Sequence, residues 1–394
     1  MSDLLRLRAL AMLMALLGLL VSGCPTPTDD DDSGDDDDVT ADDDDVVDDD
    51  DATSNDDDSG DDDDATSNDD DSGDDDDATS NDDDDSGDDD DSGDDDDSGD
   101  DDDSGDDDDS ASVMIYDCLQ APTVAASEAI IPGARAYHGL DFDAAGDIIG
   151  SDGSSLIKSD YAGTWSVFLP GTGYMEQMVY LANGDLAYAA SAGVMRATPQ
   201  GGISVIVSNL GLYGLAIGPD GLLWGAGYPG VYRINQNTGA ATLLFGLAND
   251  APHSLGFSPA GDKVYVGTIG SGAVYQADID ASFNIVGTPT VLAAGVGGGW
   301  HDGVGVDACG YLYIPDFWDS RLFRINPTTG AANVFKDWTS VPGGYGHGAV
   351  FGNGIGGWSE YNLYVPLPYN GNLVKEVVVG VPRKEWAGAV INAP

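Results

Sequence analysis

Gly303-Val-Gly-Val-Asp-Ala-Cys-Gly310, Tyr311-Leu-Tyr-Ile314, Arg321-Leu-Phe-Arg-Ile-Asn-Pro-Thr-Thr-Gly330 and Ala331-Ala-Asn-Val-Phe335 are short apolar runs set off by turn residues. Apolar residues alternate within the runs and Gly, Pro, Asn and Asp bound them, which is the pattern of strands joined by hairpins. The pattern recurs upstream. One copy reads Gly214-Leu-Ala-Ile-Gly-Pro-Asp-Gly221, Leu222-Leu-Trp-Gly225, Val231-Tyr-Arg-Ile-Asn-Gln-Asn-Thr-Gly239; another begins Gly139-Leu-Asp-Phe-Asp-Ala-Ala-Gly-Asp147. Aligned on their first strands, the units start at 138, 176, 213, 253, 302 and 347. A four-stranded unit repeated at roughly 40 residues is a propeller blade. The expected fold is therefore all-β, a six-bladed β-propeller occupying 112–394. The last unit supplies three clear strands, around 348–352, 362–367 and 373–379. Ala129-Ile-Ile-Pro-Gly133 precedes the first unit where other units have a fourth strand, and is expected to complete the last blade. Such closure leaves no free sheet edge between first and last blades.

The chain before the repeats is of another kind. Arg6 and Arg8 precede an apolar stretch, Ala9–Leu20, shorter than the roughly 20 apolar residues a spanning helix needs. Val21-Ser-Gly-Cys24 follows and resembles the lipobox of bacterial lipoproteins, implying cleavage after residue 23 and lipidation of Cys24. Pro25 stands where an Asp would signal inner-membrane retention, so the expected location is lipid-anchored at the outer membrane or cell surface. Residues 24–111 form an Asp-rich stalk with short Ser-Gly and Ala-Thr-Ser-Asn interruptions. With so little apolar surface and so much like charge, it is expected to be disordered and extended. Residues 29–109 could reach on the order of 270 Å at full extension. Asp82, Asp84, Ser86 and Gly87 imitate the opening of a calcium loop, but position twelve is Gly93, where a bidentate Glu is needed. A spacer is the expected role.

The formal charge of −60 belongs mostly to this stalk. From residue 112 onward there are 22 acidic and 11 basic residues, a net of −11. No basic stripe is present, which argues against nucleic acid, and the acid excess disfavours anionic lipid surfaces. The expected membrane contact is the lipid alone, and the expected state is a monomer. With Cys24 assigned to lipidation, Cys118 and Cys309 form an even pair in an exported chain, which favours a disulfide over two separate thiols.

The chain has four histidines, His138, His253, His301 and His347, all at or beside the same point of the repeat. The residues starting the innermost strands are His138, Glu176, Tyr213, His253, Asp302 and His347, with His301 one residue out of register. Such positions surround the central channel of a propeller. Imidazoles and carboxylates converging there make a first-row metal set, Zn²⁺ or Fe²⁺ rather than Ca²⁺. The expected ligands are His138, His253, His347, Glu176 and Asp302, with His301 as a rim residue or a further ligand. Tyr213, His301, Trp300, Tyr137, Tyr345 and Trp318, with Phe317 and Tyr369, are expected to wall a pocket for a sugar or other flat ligand.

Pro252-His-Ser-Leu-Gly-Phe-Ser-Pro-Ala-Gly-Asp262, Asp302-Gly-Val-Gly-Val-Asp307 and Leu312-Tyr-Ile-Pro-Asp316 resemble the senescence marker protein/gluconolactonase family of six-bladed propellers, over about residues 130 to 380. That family holds a divalent metal, usually calcium, through a Glu of blade one, Asn of blades three and four, and Asp of blade five. Here those positions are His138, Tyr213, His253 and Asp302. Three of the four depart from the family, which puts family-type lactone hydrolysis in doubt, while the replacements remain potential ligands. The leading expectation is a surface-displayed propeller that binds a small ligand with a divalent metal at its channel mouth. The alternatives are a metal-dependent hydrolase or lyase with Glu176 or Asp302 as base, and a non-catalytic protein-interaction propeller.

Overall fold

A computed structural model describes residues 115–385 and 389–391. The expected signal segment 1–23, Cys24 and the Asp-rich residues expected to form a stalk lie outside these residues. Six four-stranded antiparallel sheets follow in chain order. Their first strands are Asp141–Phe142, Met175–Tyr180, Gly214–Ile217, Ala251–Phe257, Gly305–Val306 and Val350–Phe351. The fold is a six-bladed β-propeller. Among the described residues helix is confined to two 3-10 turns, Cys118–Gln120 and Pro368–Asn370.

The sixth blade takes its outer strand from the other end of the domain. Glu128–Arg135 pairs antiparallel with Leu373–Val378, next to Asn362–Leu367 and Val350–Phe351. The expected closing strand is thus present, longer by one residue before and two after the sequence estimate. A further parallel pair joins Ile115–Asp117 to Ala389–Ile391.

The core is distributed over six interfaces, each between consecutive blades. Trp224, Val231, Leu255, Phe257 and Val264 fill the gap between blades three and four. Phe142, Ile148, Trp358, Tyr364 and Val374 fill the one where the ring closes. There Trp358 is fully buried, and its indole N–H donates to the Gly146 carbonyl at 2.8 Å. Fourth strands carry exposed apolar residues such as Val205 and Leu243, because only one face of an outer strand meets a neighbour. Cys118 and Cys309 are joined by a disulfide with Cα atoms 5.6 Å apart, inside the cluster between blades five and six.

Candidate functional site at the channel mouth

Short backbone links join three pairs of neighbouring inner strands near their starts. The Gly139 N–H donates to the Glu176 carbonyl (3.1 Å) and the Gln177 N–H to the Tyr213 carbonyl (3.1 Å); the Gly348 N–H donates to the Asp302 carbonyl. Two glycines make this approach possible. A Cβ on Gly139 would lie 2.6 Å from the Cα of Gln177, and one on Gly303 would lie 2.6 Å from the Ala349 nitrogen. Each follows a ring residue directly, so the backbone closes up while His138 and Asp302 are placed at the axis.

The polar side chains form one network. His138 Nδ1 lies 2.9 Å from Glu176 Oε2 and 3.1 Å from His347 Nδ1. His347 Nδ1 is 2.7 Å from Asp302 Oδ2, and Asp302 Oδ1 is 3.2 Å from His253 Nδ1. His138, His253, Asp302 and His347 are all buried. Tyr213 stacks on His253 with ring centroids 4.8 Å apart. The structure therefore brings all six ring residues together. It divides the five expected ligands, however. Ligand atoms of His138, Asp302 and His347 lie within 4.8 Å of one another, whereas Glu176 and His253 flank this trio.

His301 does not sit at the rim, and that expectation is corrected. Its side chain is fully buried between blades four and five. Nε2 lies 3.0 Å from the Val296 carbonyl, and Nδ1 accepts from the Thr268 N–H at 3.3 Å. Successive side chains of an extended segment point to opposite sides, so Asp302 facing the axis turns His301 away from it. His301 meets the ring through its carbonyl, which lies 3.2 Å from His253 Nδ1 and accepts from Ser254 Oγ at 3.1 Å.

Charge is unevenly placed. Burial opposes a charge on His138, but the neighbouring Glu176 carboxylate outweighs it and holds the imidazole above its ordinary range. Burial likewise opposes ionisation of Glu176, and His138 reverses that, keeping the carboxyl low. Asp302 is driven well below the usual carboxylate range against its burial, chiefly by His347 and His253. His347 goes the other way: burial lowers it despite Asp302. Among the described residues, His347 Nε2 is a buried atom without a hydrogen-bond partner, while Asp302 Oδ2 meets His347 Nδ1 at 2.7 Å without hydrogen-bond geometry.

Aromatic side chains surround this centre. Tyr137 packs on His138 (5.0 Å) and faces Tyr369 (6.3 Å); Phe317 contacts His347 (4.7 Å), Tyr345 (4.9 Å) and Trp300 (5.2 Å). Trp318 stands against Trp300 at 5.4 Å, and Trp300 lies 6.0 Å from His253. Sequence reading missed Tyr174, whose hydroxyl is 2.6 Å from His138 Nε2. A signal was available, since Tyr174, Trp300 and Tyr345 each stand two residues before a ring position.

Beneath the ring the channel widens into a cavity of about 310 Å³, with Asp141, Gln177 and Ser254 among its walls and Arg383–Glu385 at its far end. Burial pushes Asp141 up to about 6. Near Arg383, Asp307 is pushed up to about 7, again chiefly by burial. Both acids hold their proton more tightly folded than unfolded, so the stability they contribute is present below about pH 4 and lost as pH rises through 6 to 7. His138, also raised, adds to the loss above about pH 6.5. His347 and His301, both lowered chiefly by burial, act oppositely below that pH, where unfolded histidine takes up protons. The metal-free domain should therefore melt at falling temperature as pH rises from 6.5 to 8. A melting temperature that rises across that window would contradict these assignments.

These observations define the class: a six-bladed β-propeller with a buried imidazole–carboxylate ring at one channel mouth. Its fold is that of the gluconolactonase- and regucalcin-like propellers. Regucalcin from Agrobacterium tumefaciens, described as a calcium-binding protein, superimposes with a TM-score of 0.54 at 19% identity over 70% of this chain and 98% of that one. A gluconolactonase from Xanthomonas campestris gives 0.52 at 16% identity over 65% and 89%. An auxiliary nutrient binding protein from Bacteroides thetaiotaomicron gives 0.50 at 11% identity over 62% and 69%. No family model and no curated protein matches the sequence.

Proposed function

We propose that this chain is an exported, lipid-anchored propeller that captures a small ligand at its channel mouth with the help of a divalent metal. The observation that carries the metal is the convergence of His138, His347 and Asp302, with His347 Nδ1 3.1 Å from His138 Nδ1 and 2.7 Å from Asp302 Oδ2. Two Nδ1 atoms 3.1 Å apart, each also facing a carboxylate, cannot both donate favourably without turning N–H against N–H. A cation between them satisfies both lone pairs and the Asp302 carboxylate oxygen together. Neighbouring donors around a tetrahedral Zn²⁺ stand roughly 3.3 Å apart for bonds of about 2.0 Å, close to the 2.7 and 3.1 Å seen here. The donor chemistry selects among metals: two imidazoles and one carboxylate suit Zn²⁺ or Fe²⁺, whereas Ca²⁺ takes oxygen ligands. Of the four family calcium positions only Asp302 supplies an oxygen of the family's kind.

Binding is favoured over hydrolysis by the state of the carboxylates. Glu176 and Asp302 are both held low, which suits a ligand or a fixed counter-charge and makes each a weak base near neutral pH. The aromatic wall gives the ligand flat apolar faces, and nutrient binding is the named role of the Bacteroides neighbours. The lipobox-like Val21-Ser-Gly-Cys24 and the acidic stalk support display away from the membrane.

Elemental analysis of the domain purified without chelator tests the reading. The expected result is close to one equivalent of Zn or Fe, removed by a strong chelator. Absence of bound metal, together with no uptake of added Zn²⁺ or Fe²⁺, would leave the protein-interaction propeller standing. Chelator-sensitive turnover of an ester and lactone panel would instead favour the hydrolase.

A further inference from the structure

Tyr174 lies in the loop leading into the second blade, two residues before Glu176 and outside every expected ligand set. Its ring is 46% exposed at the mouth, yet its hydroxyl reaches His138 Nε2 at 2.6 Å. The rings meet edge to face at 5.1 Å. The other imidazole nitrogen, Nδ1, is the atom that approaches His347 and Asp302. A neutral imidazole carries one hydrogen, and whichever nitrogen binds a metal must be the bare one. With Nδ1 committed to the site, the hydrogen sits on Nε2 and donates to the Tyr174 oxygen. The phenol then no longer donates to His138, and its own hydrogen is released to the neighbouring Glu176 carboxylate or to a ligand entering the mouth.

We propose that Tyr174 is the positioning residue of this site, accepting the Nε2 hydrogen of His138 so that Nδ1 stays aimed at the centre, and turning its own hydroxyl hydrogen toward an oxygen of the bound ligand. This assignment rests on the metal reading above. It narrows the ligand class to molecules that present an oxygen acceptor, such as a carboxylate or carbonyl, beside the metal.

The test compares wild type with Tyr174→Phe, and with Tyr228→Phe as a control at an exposed tyrosine outside the ring. Competition with a chromophoric chelator should show Zn²⁺ affinity falling about 10-fold in Tyr174→Phe, the lower end of the range for losing a partner behind a ligand. Tyr228→Phe should leave it unchanged. In ¹⁵N–¹H spectra of the Zn²⁺-loaded protein, the His138 Nε2 hydrogen should be protected from exchange in wild type and exposed in Tyr174→Phe. Acetate titrated into Co²⁺-loaded protein and followed by visible absorption should bind about tenfold more weakly to the variant, as expected for losing a hydrogen bond to a charged group. Melting temperature confirms that the half-exposed substitution leaves the fold intact. Unchanged Zn²⁺ affinity, equal Nε2 exchange or equal acetate binding in Tyr174→Phe overturns the assignment and leaves the metal reading in place. A wild-type protein that takes up no metal overturns both.

Discussion

Replacing Asp302 with alanine should lower metal affinity by more than 100-fold, enough to leave the purified domain metal-free. Asp302 is the one carboxylate among the three converging ligand residues, and it is 1% exposed. It also lies between two imidazoles, 2.7 Å from His347 and 3.2 Å from His253, so its charge sets the orientation of both. Loss of an outer partner alone lowers metal affinity by about 10–100-fold; here a charged ligand is lost, His347 loses its carboxylate and His253 keeps only the His301 carbonyl, 3.2 Å from its Nδ1. Asp302→Asn keeps the shape without the charge and should lose most of the same affinity, which separates ligation from packing. His301→Ala is the matching control. Both ring nitrogens of His301 face backbone groups and none of its side chain reaches the trio, so this variant should melt earlier but still take up metal. Equilibrium dialysis against Zn²⁺ reads all three. Retention of metal at wild-type affinity by Asp302→Ala would remove Asp302 from the site.

Reducing the Cys118–Cys309 disulfide should lower stability by about 5 kcal/mol in the chain-entropy account, because its ends are separated by 191 residues. The bridge ties the segment just before the closing strand Glu128–Arg135 to the turn between Gly305–Val306 and Leu312–Asp316. Once it is cut, the closing strand is held by its pairing with Leu373–Val378, by Lys375 Nζ to Glu128 Oε1 at 2.9 Å within the sixth blade, and by Trp338 Nε1 of the fifth blade to Glu128 Oε2 at 2.7 Å. The melting temperature should fall by on the order of 10 °C with reductant. The Cys118→Ser/Cys309→Ser double variant should melt at that lower temperature and be indifferent to reductant. A change of only a degree or two would show that the closing strand and blade packing suffice to hold the ring closed.

The blades were legible because their signals are local. Runs such as Leu312–Asp316 and Arg321–Ile325 alternate in side-chain character and end at turn glycines, and six copies repeat these features in register. The fourth strand from the N-terminus was legible by its absence elsewhere: the last repeat lacked one, and Ala129–Gly133 had no other partner. The ring positions followed from the same register, because equivalent points of radially arranged repeats meet at one axis. His301 escaped this logic. It sits in the long connection between Ala293 and Gly305, where Gly295, Gly297 and Gly299 adopt positive φ and the repeat no longer sets the direction of a side chain.

From residue types and spacing alone, this protein is determined to be a six-bladed β-propeller with six known residues at its channel mouth, since strand period and repeat length are properties of the chain. Which of those residues share a centre was decided only by the tertiary structure. The convergence of His138, His347 and Asp302, the flanking places of Glu176 and His253, and the reach of Tyr174 to His138 depend on side-chain direction and on how closely Gly139 and Gly303 let neighbouring blades approach. Those are distances between segments far apart in sequence, set by packing around the ring.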